Sequence, residues 1–90
     1  MTAEEIYKAA LEKWGPEAQT NMAVEETAEF LNALAKLKRG RCSVTDLIDE
    51  IADVTIMMEQ MALLYGKEEV DIRKSFKINR LKYRLGFDNK

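Results

Sequence analysis

Histidine is absent from this 90-residue chain, and cysteine occurs once, at Cys42. Without histidine the chain cannot form a Ser–His or Cys–His nucleophile, so a covalent route assisted by histidine is excluded. The same absence argues against a di-iron carboxylate bundle, which uses Glu-x-x-His pairs. A single cysteine also excludes a framework of disulfides within the chain and fits the reducing cytoplasm.

Long apolar runs, flexible linkers and strand patterns are missing as well. No stretch reaches the roughly 18 apolar residues of a membrane-spanning helix, and no Gly-, Ser- or Pro-rich segment divides the chain. The first five residues are acidic rather than signal-like, so we expect a cytoplasmic protein without a membrane partner. The net charge of −2 gives no general reason to bind nucleic acid. With 47% hydrophobic residues, the chain can form one small domain over residues 1–90.

Helical periodicity is present throughout the chain. It predicts helices over about 2–14, 16–39, 43–65 and 68–85, with a frayed tail over 86–90. Pro16 suits the first turn of the second helix, and Ser43 with Asp46 resembles a capping box at the third. The second and third helices are long and joined by a short loop. We therefore expect an all-α bundle of about four helices with a long antiparallel central hairpin.

The central helices are apolar over more than one face, especially across residues 54–58 and 61–64. A chain of this length cannot cover all of that surface by itself. We therefore expect oligomerisation, at least to a dimer, to complete the core.

Two carboxylate pairs lie one helical turn apart, Glu26 with Glu29 and Glu50 with Asp53. Both pairs are in phase with the apolar stripes of their helices, so we expect them to face the core.

Asp49, Glu59 and Gln60 have the opposite phase and are expected to face solvent. The alternatives are an ordinary solvated face, or salt bridges inside a bundle.

Carboxylates at core-facing positions need a counter-charge. An ionised carboxylate costs several kcal/mol, roughly, when it leaves water unpaired, and close carboxylates raise one another's pKa. A divalent cation removes both penalties. Because the chain offers mainly oxygen ligands, the pattern favours Mg²⁺, with Mn²⁺ as a substitute, over Zn²⁺ or copper.

The last predicted helix carries a basic stripe formed by Arg73, Lys77, Arg80 and Arg84. Asn79 lies on the neighbouring, otherwise apolar stripe, where a buried amide would need a specific hydrogen bond. A site that hydrolyses a polyphosphate requires a metal ion held by carboxylates, with Lys and Arg nearby to neutralise the remaining phosphate charge.

Together these motifs resemble those of the MazG-like all-α nucleoside triphosphate pyrophosphohydrolases. The resemblance rests on Glu26-x-x-Glu29, twenty intervening residues, Glu50-x-x-Asp53 and the segment Lys77-Ile-Asn-Arg80, and it covers about residues 6–85. Trp14-Gly15, Gln19 and Glu25 support it.

The resemblance implies Mg²⁺-dependent hydrolysis of a (d)NTP substrate between its α- and β-phosphates, giving (d)NMP and pyrophosphate, in a dimer or tetramer. It implies the metal ligands Glu26, Glu29, Glu50 and Asp53. Its implied catalytic residues are Glu25, Glu50, Lys77 and Arg80, where Glu25 would orient or activate water. Its implied substrate-binding residues are Trp14, Gln19, Lys77, Asn79 and Arg80.

This chain departs from the family pattern at one position. Some relatives have a second basic residue immediately after the arginine that matches Arg80. Here Leu81 occupies that position, so Arg84 or a neighbouring subunit would substitute.

Two rival interpretations remain open. In the first, the chain is a non-catalytic helical oligomerisation or interaction module, whose acids and basic stripe form salt bridges between subunits. In the second, the basic helix binds nucleic acid, which the net acidity argues against.

Overall fold

Four helices account for nearly all of residues 1–87, the part of the chain that the computed structural model describes. They are α1 (Ala3–Trp14), α2 (Pro16–Lys38), α3 (Val44–Tyr65) and α4 (Lys67–Arg84). No strand occurs within residues 1–87, which confirms the all-α class. In this part of the chain no helix combines the length and apolar character needed to cross a membrane. Residues 88–90 of the predicted tail lie outside the described residues.

Local sequence explains where the helices begin and end. The Ser43 hydroxyl accepts a hydrogen bond from the Asp46 N–H at 3.1 Å, which confirms the predicted capping box of α3. An equivalent box joins Thr2 to Glu5 at the start of α1, and Pro16 opens α2. Gly66 separates α3 from α4 with φ at 132°, a conformation that residues with a Cβ rarely adopt.

The core lies between α2 and α3. Near the start of α2, the Gln19 amide donates to Gln60 Oε1 at 2.6 Å. At the other end of the pair, the Cys42 thiol donates to the carbonyl of Ala33 at 3.3 Å. The start of α2 thus meets the end of α3, and the end of α2 meets the segment that leads into α3. Ala23, Ala33 and Met57 are the buried apolar residues of this seam.

The expectation that Gln60 faces solvent is wrong. Gln60 is only 6% exposed and Gln19 only 5%. Gln60 follows Met57 by three residues, so both side chains lie on the inward face of α3. The buried amide is tolerated because Gln19 satisfies it, and this partner is 41 residues away in the sequence.

A large share of the apolar surface stays uncovered in the single chain. Its accessible surface is 7245 Å², whereas a folded monomer of this mass exposes about 5,400 Å². Every residue of α4 is exposed, including Phe76 at 70%, and α4 packs against α3 but against no other helix of residues 1–87. Val70, Ile78 and Leu81 line an open apolar groove along α4.

Replacing Gln60 with leucine should destabilise the protein, because the buried Gln19 amide would lose its partner. We expect the free energy of unfolding to fall by about 1–3 kcal/mol, measured by urea denaturation. The double variant Gln19→Leu/Gln60→Leu is the matched control. It removes both polar groups and should recover much of the loss. A single variant as stable as the wild type would contradict a structural role for the amide pair.

Candidate metal centre

Three of the predicted carboxylates meet across the α2–α3 seam. Glu26 and Glu29 extend from one face of α2, and Glu50 extends from α3. One carboxylate oxygen from each residue lies within 4.8 Å of the other two. The spacing of three residues places Glu26 and Glu29 on the same side of α2, and helix packing places Glu50 opposite them. We call these three residues the acid triad.

Two oxygens of the acid triad are buried without a partner. The Oε2 atoms of Glu26 and Glu50 are inaccessible to solvent and accept no hydrogen bond from any residue in the described range. A buried carboxylate oxygen left in this way carries a desolvation penalty that nothing in the described chain offsets. A donor or a cation from outside residues 1–87 would offset this penalty.

The electrostatics of the acid triad follow from this arrangement. Burial and the neighbouring carboxylates raise the pKa of both Glu26 and Glu50 above its ordinary value of 4.5. For both groups burial is the largest cause. The carboxylates that add to it for Glu26 are Glu29, Asp53, Glu50 and Glu25. Those that add to it for Glu50 are Glu29, Asp53, Asp49 and Asp46.

The acid triad fits a hard divalent cation. Its donors are carboxylate oxygens, which Mg²⁺ and Mn²⁺ prefer. A cation would partner the two buried oxygens and relieve the repulsion that raises their pKa values.

Asp53 and Glu25 lie beside the acid triad rather than in it. Both side chains are exposed, and both raise the pKa of Glu26 by repulsion. Glu29 is exposed as well, so the expectation that all four predicted ligands face the core is wrong for Glu29 and Asp53. Three of the four predicted ligands are thus brought together. The fourth, Asp53, lies near enough to raise the pKa of Glu26.

The predicted substrate-binding residues of the last helix are not brought to the acid triad. Lys77, Asn79 and Arg80 are exposed on α4, and Arg84 is exposed near its end. Lys77 and Arg80 border a groove of about 380 Å³ whose lining residues all belong to α4. The expectation of a buried Asn79 is not met in the single chain.

Trp14 and Gln19 are placed differently from each other. Trp14 is 59% exposed, and the ammonium of Lys13 lies 5.4 Å from the centroid of its ring. Gln19 is buried, and its amide nitrogen donates to Gln60 inside the core. Trp14 therefore offers a ring surface to a ligand, whereas the Gln19 amide already has a structural partner.

A polar pocket of about 410 Å³ adjoins the acid triad, and sequence reasoning missed most of it. Glu29 and Glu50 form part of its wall. The other lining residues are Asn32, Ala33, Lys36, Arg41, Cys42, Asp46 and Asp49. The available signal was periodicity, since Asn32 and Lys36 follow Glu29 at helical spacing.

Comparison with known proteins adds no assignment: no known protein family, curated protein or solved structure matches this chain. The chemistry of the acid triad and its surroundings is therefore the basis on which a function is argued.

Acidification should stabilise the metal-free protein. Because the pKa values of Glu26 and Glu50 are raised on folding, their contribution to stability is fully favourable below 4.5 and is lost as the pH rises through the raised values. We expect the melting temperature in a chelator to rise as the pH is lowered from about 7.5 toward 4.5, the ordinary pKa of these groups. Asp46, whose pKa is lowered by its hydrogen bonds to Ser43, acts in the opposite direction only at lower pH.

The Glu50→Gln variant provides the control for this pH dependence. It removes one buried charge, so its melting temperature should vary less over the same pH range. Millimolar Mg²⁺ should raise the wild-type melting temperature most at the higher pH, because protons compete with the cation. An identical pH profile for wild type and variant would contradict the proposed repulsion.

Proposed function

We propose that this protein is a Mg²⁺-dependent nucleoside triphosphate pyrophosphohydrolase that converts a (d)NTP into (d)NMP and pyrophosphate. The observation that carries this proposal is the acid triad with its two buried, unpartnered carboxylate oxygens. The resemblance of the four-acid pattern and of residues 77–80 to MazG-like enzymes supports the same reaction. The single free cysteine agrees with a cytoplasmic location.

Glu26, Glu29 and Glu50 would hold the metal ion, and Asp53 would act beside them. Mg²⁺ is the expected ion, and Mn²⁺ is a substitute. When bound, the ion supplies positive charge to the phosphate oxygens of the substrate. The carboxylates would hold it from two packed helices, α2 and α3, rather than from loops.

The chain's own residues then have distinct tasks. Glu25 is exposed next to Glu26, so its carboxylate can accept a proton from an attacking water. Oxygen from that water bonds to the α-phosphorus, and the bond between this phosphorus and the oxygen bridging to the β-phosphate breaks. Pyrophosphate leaves with the bridging oxygen, and cationic side chains stabilise its charge.

Lys77 and Arg80 would take part in that last task from a second copy of the chain. Within one chain α4 packs against α3 and not against α2 in the described residues. Asn79 on the same segment would hydrogen-bond to the substrate. Trp14 would offer its exposed ring to the nucleotide, whereas a role for Gln19 would require its amide to leave Gln60.

The surface of the single chain supports an oligomer. We propose that α2 and α3 form the central antiparallel hairpin of a dimeric or tetrameric bundle. The accessible surface of 7245 Å² exceeds that of a typical monomer of this mass by about 1,800 Å². Stable interfaces bury about 800 Å² on each partner, and obligate ones bury more. The excess is thus of the size that an obligate homo-oligomer buries.

A non-catalytic oligomerisation module is the second candidate. The observation that favours it is the exposed apolar face of α4, including Ile78 and Leu81, which self-association explains without chemistry. Such a module would assemble normally and release no pyrophosphate from nucleotides.

A panel of NTPs and dNTPs assayed for pyrophosphate release tests the activity. We expect release that requires Mg²⁺ and falls at least about 100-fold in Glu50→Gln, because the variant loses a charged ligand. Glu17→Gln, which neutralises an exposed acid in the first turn of α2, is the matched control and should retain activity. Both variants should keep the helical circular-dichroism signal. Absence of pyrophosphate release across the whole panel would contradict the enzymatic proposal and favour the non-catalytic oligomerisation module.

Sedimentation velocity tests the assembly. We expect the wild type to sediment as a dimer or tetramer, and Leu81→Glu to shift it toward monomer, because a charge at an apolar contact costs more than one in water. Ser75→Glu is the control. It adds the same charge to the same helix outside the apolar groove and should leave the assembly intact. A wild-type monomer at micromolar concentration would contradict the oligomer.

A further inference from the structure

The pocket beside the acid triad holds two basic residues that the resemblance does not assign. Lys36 and Arg41 line it together with Glu29 and Glu50. It lies at the end of the seam where α2 finishes and α3 begins. Its volume of about 410 Å³ falls in the usual range of small-ligand sites, roughly 300–1,000 Å³. Both signs of charge are thus present on one wall.

The backbone holds both basic residues at this pocket. Lys36 lies seven residues, or two helical turns, after Glu29 and shares its face of α2. The N–H of Arg41 donates to the carbonyl of Lys36 at 2.8 Å, and the N–H of Gly40 donates to that of Leu37 at 3.0 Å. Gly40 adopts φ of 70°, which lets the chain turn back at this point. Arg41 is therefore positioned by a hydrogen-bonded helix terminus.

Lys36 and Arg41 form no ion pair within residues 1–87. In the described residues, the ion pair that forms joins Lys67 to Asp71 on α4. Asp46 also lines the pocket, and its carboxylate accepts a hydrogen bond from the N–H of Ser43, the N-cap residue of α3. Lys36 and Arg41 thus remain available to an anion, while the neighbouring carboxylates attract a cation.

We propose that Lys36 and Arg41 bind the outer phosphates of a metal-bound polyphosphate. This inference rests on the proposed function, in which the acid triad holds the metal at the reacting phosphate. Arginine binds two phosphate oxygens at once, and lysine supplies a point charge. Both lie on the pocket wall that also contains Glu29 and Glu50, whereas Lys77 and Arg80 lie on a helix that does not pack against α2. Within one chain, the cations that line the same pocket as Glu29 and Glu50 therefore come from the α2–α3 junction.

The test compares Lys36→Met and Arg41→Gln with Lys38→Met and Arg39→Gln. The latter two are matched controls, because they remove the same charges from the same junction but do not line the pocket. The probes are the best nucleoside triphosphate of the panel and inorganic tripolyphosphate with Mg²⁺, titrated calorimetrically. For each pocket variant we expect KM and the tripolyphosphate Kd to rise about tenfold or more. The controls should change less than about threefold.

The outcomes separate this inference from the proposed function. If the wild type hydrolyses nucleotides and all four variants resemble it, the inference is overturned and the enzyme stands. If all four variants bind the probes equally more weakly than the wild type, the loss reflects the general charge of the junction, and the inference is again overturned. If the wild type hydrolyses nothing, the enzymatic proposal fails, and the tripolyphosphate titration alone tests whether the pocket binds phosphates. Loss of tripolyphosphate binding in only the two pocket variants supports the inference. Absence of tripolyphosphate binding by the wild type overturns it.

Discussion

The close approach of Glu26 and Glu50 across the α2–α3 seam is the constraint on which the other features depend. Two carboxylate oxygens are enclosed there without a partner, and the neighbouring acids add to their repulsion. The rest of the seam must hold the helices together against this cost. The Gln19–Gln60 hydrogen bond at one end and the thiol contact of Cys42 at the other fix the two helices in register. An arrangement that keeps unfavourable charges together is typical of a site that binds a cation.

The small size of the chain explains why so little of it is fully buried. Only Ala23, Ala33 and Met57 form the buried apolar core of the described residues, and α4 contributes none of it. A chain of this length folds with a limited core unless another surface covers it. Under the proposed function, assembly and activity would be linked, because α4, which carries Lys77 and Arg80, does not pack against α2 within one chain.

The two sets of basic residues differ in the part of the fold that positions them. Lys36 and Arg41 belong to the junction that closes the α2–α3 pair, so they are in place as soon as one chain folds. The bases of α4 lie on a helix that packs against α3 and not against α2. Under the proposed function, a polyphosphate would contact Lys36 and Arg41 within one chain and the bases of α4 only in an oligomer.

Periodicity and capping signals were enough to predict the helices, because those features depend on neighbours within one or two turns. Pro16, the Ser43–Asp46 box and Gly66 marked helix ends that the structure confirms. The acid pairs could also be placed on helix faces from spacing alone. The burial of Gln60 could not, because its partner is 41 residues away and an isolated glutamine is typical of a solvated face.

The sequence by itself therefore determined the helical class, the helix boundaries and which acids share a face, since each of these is a local property of the chain. Only the tertiary structure decided which acids meet, leaving Asp53 exposed beside the acid triad and bringing Lys36 and Arg41 to its pocket. The reason is physical. The rotation and register of two packed helices are set by contacts between residues far apart in the chain, and a shift of one residue would turn a different set of side chains into the seam.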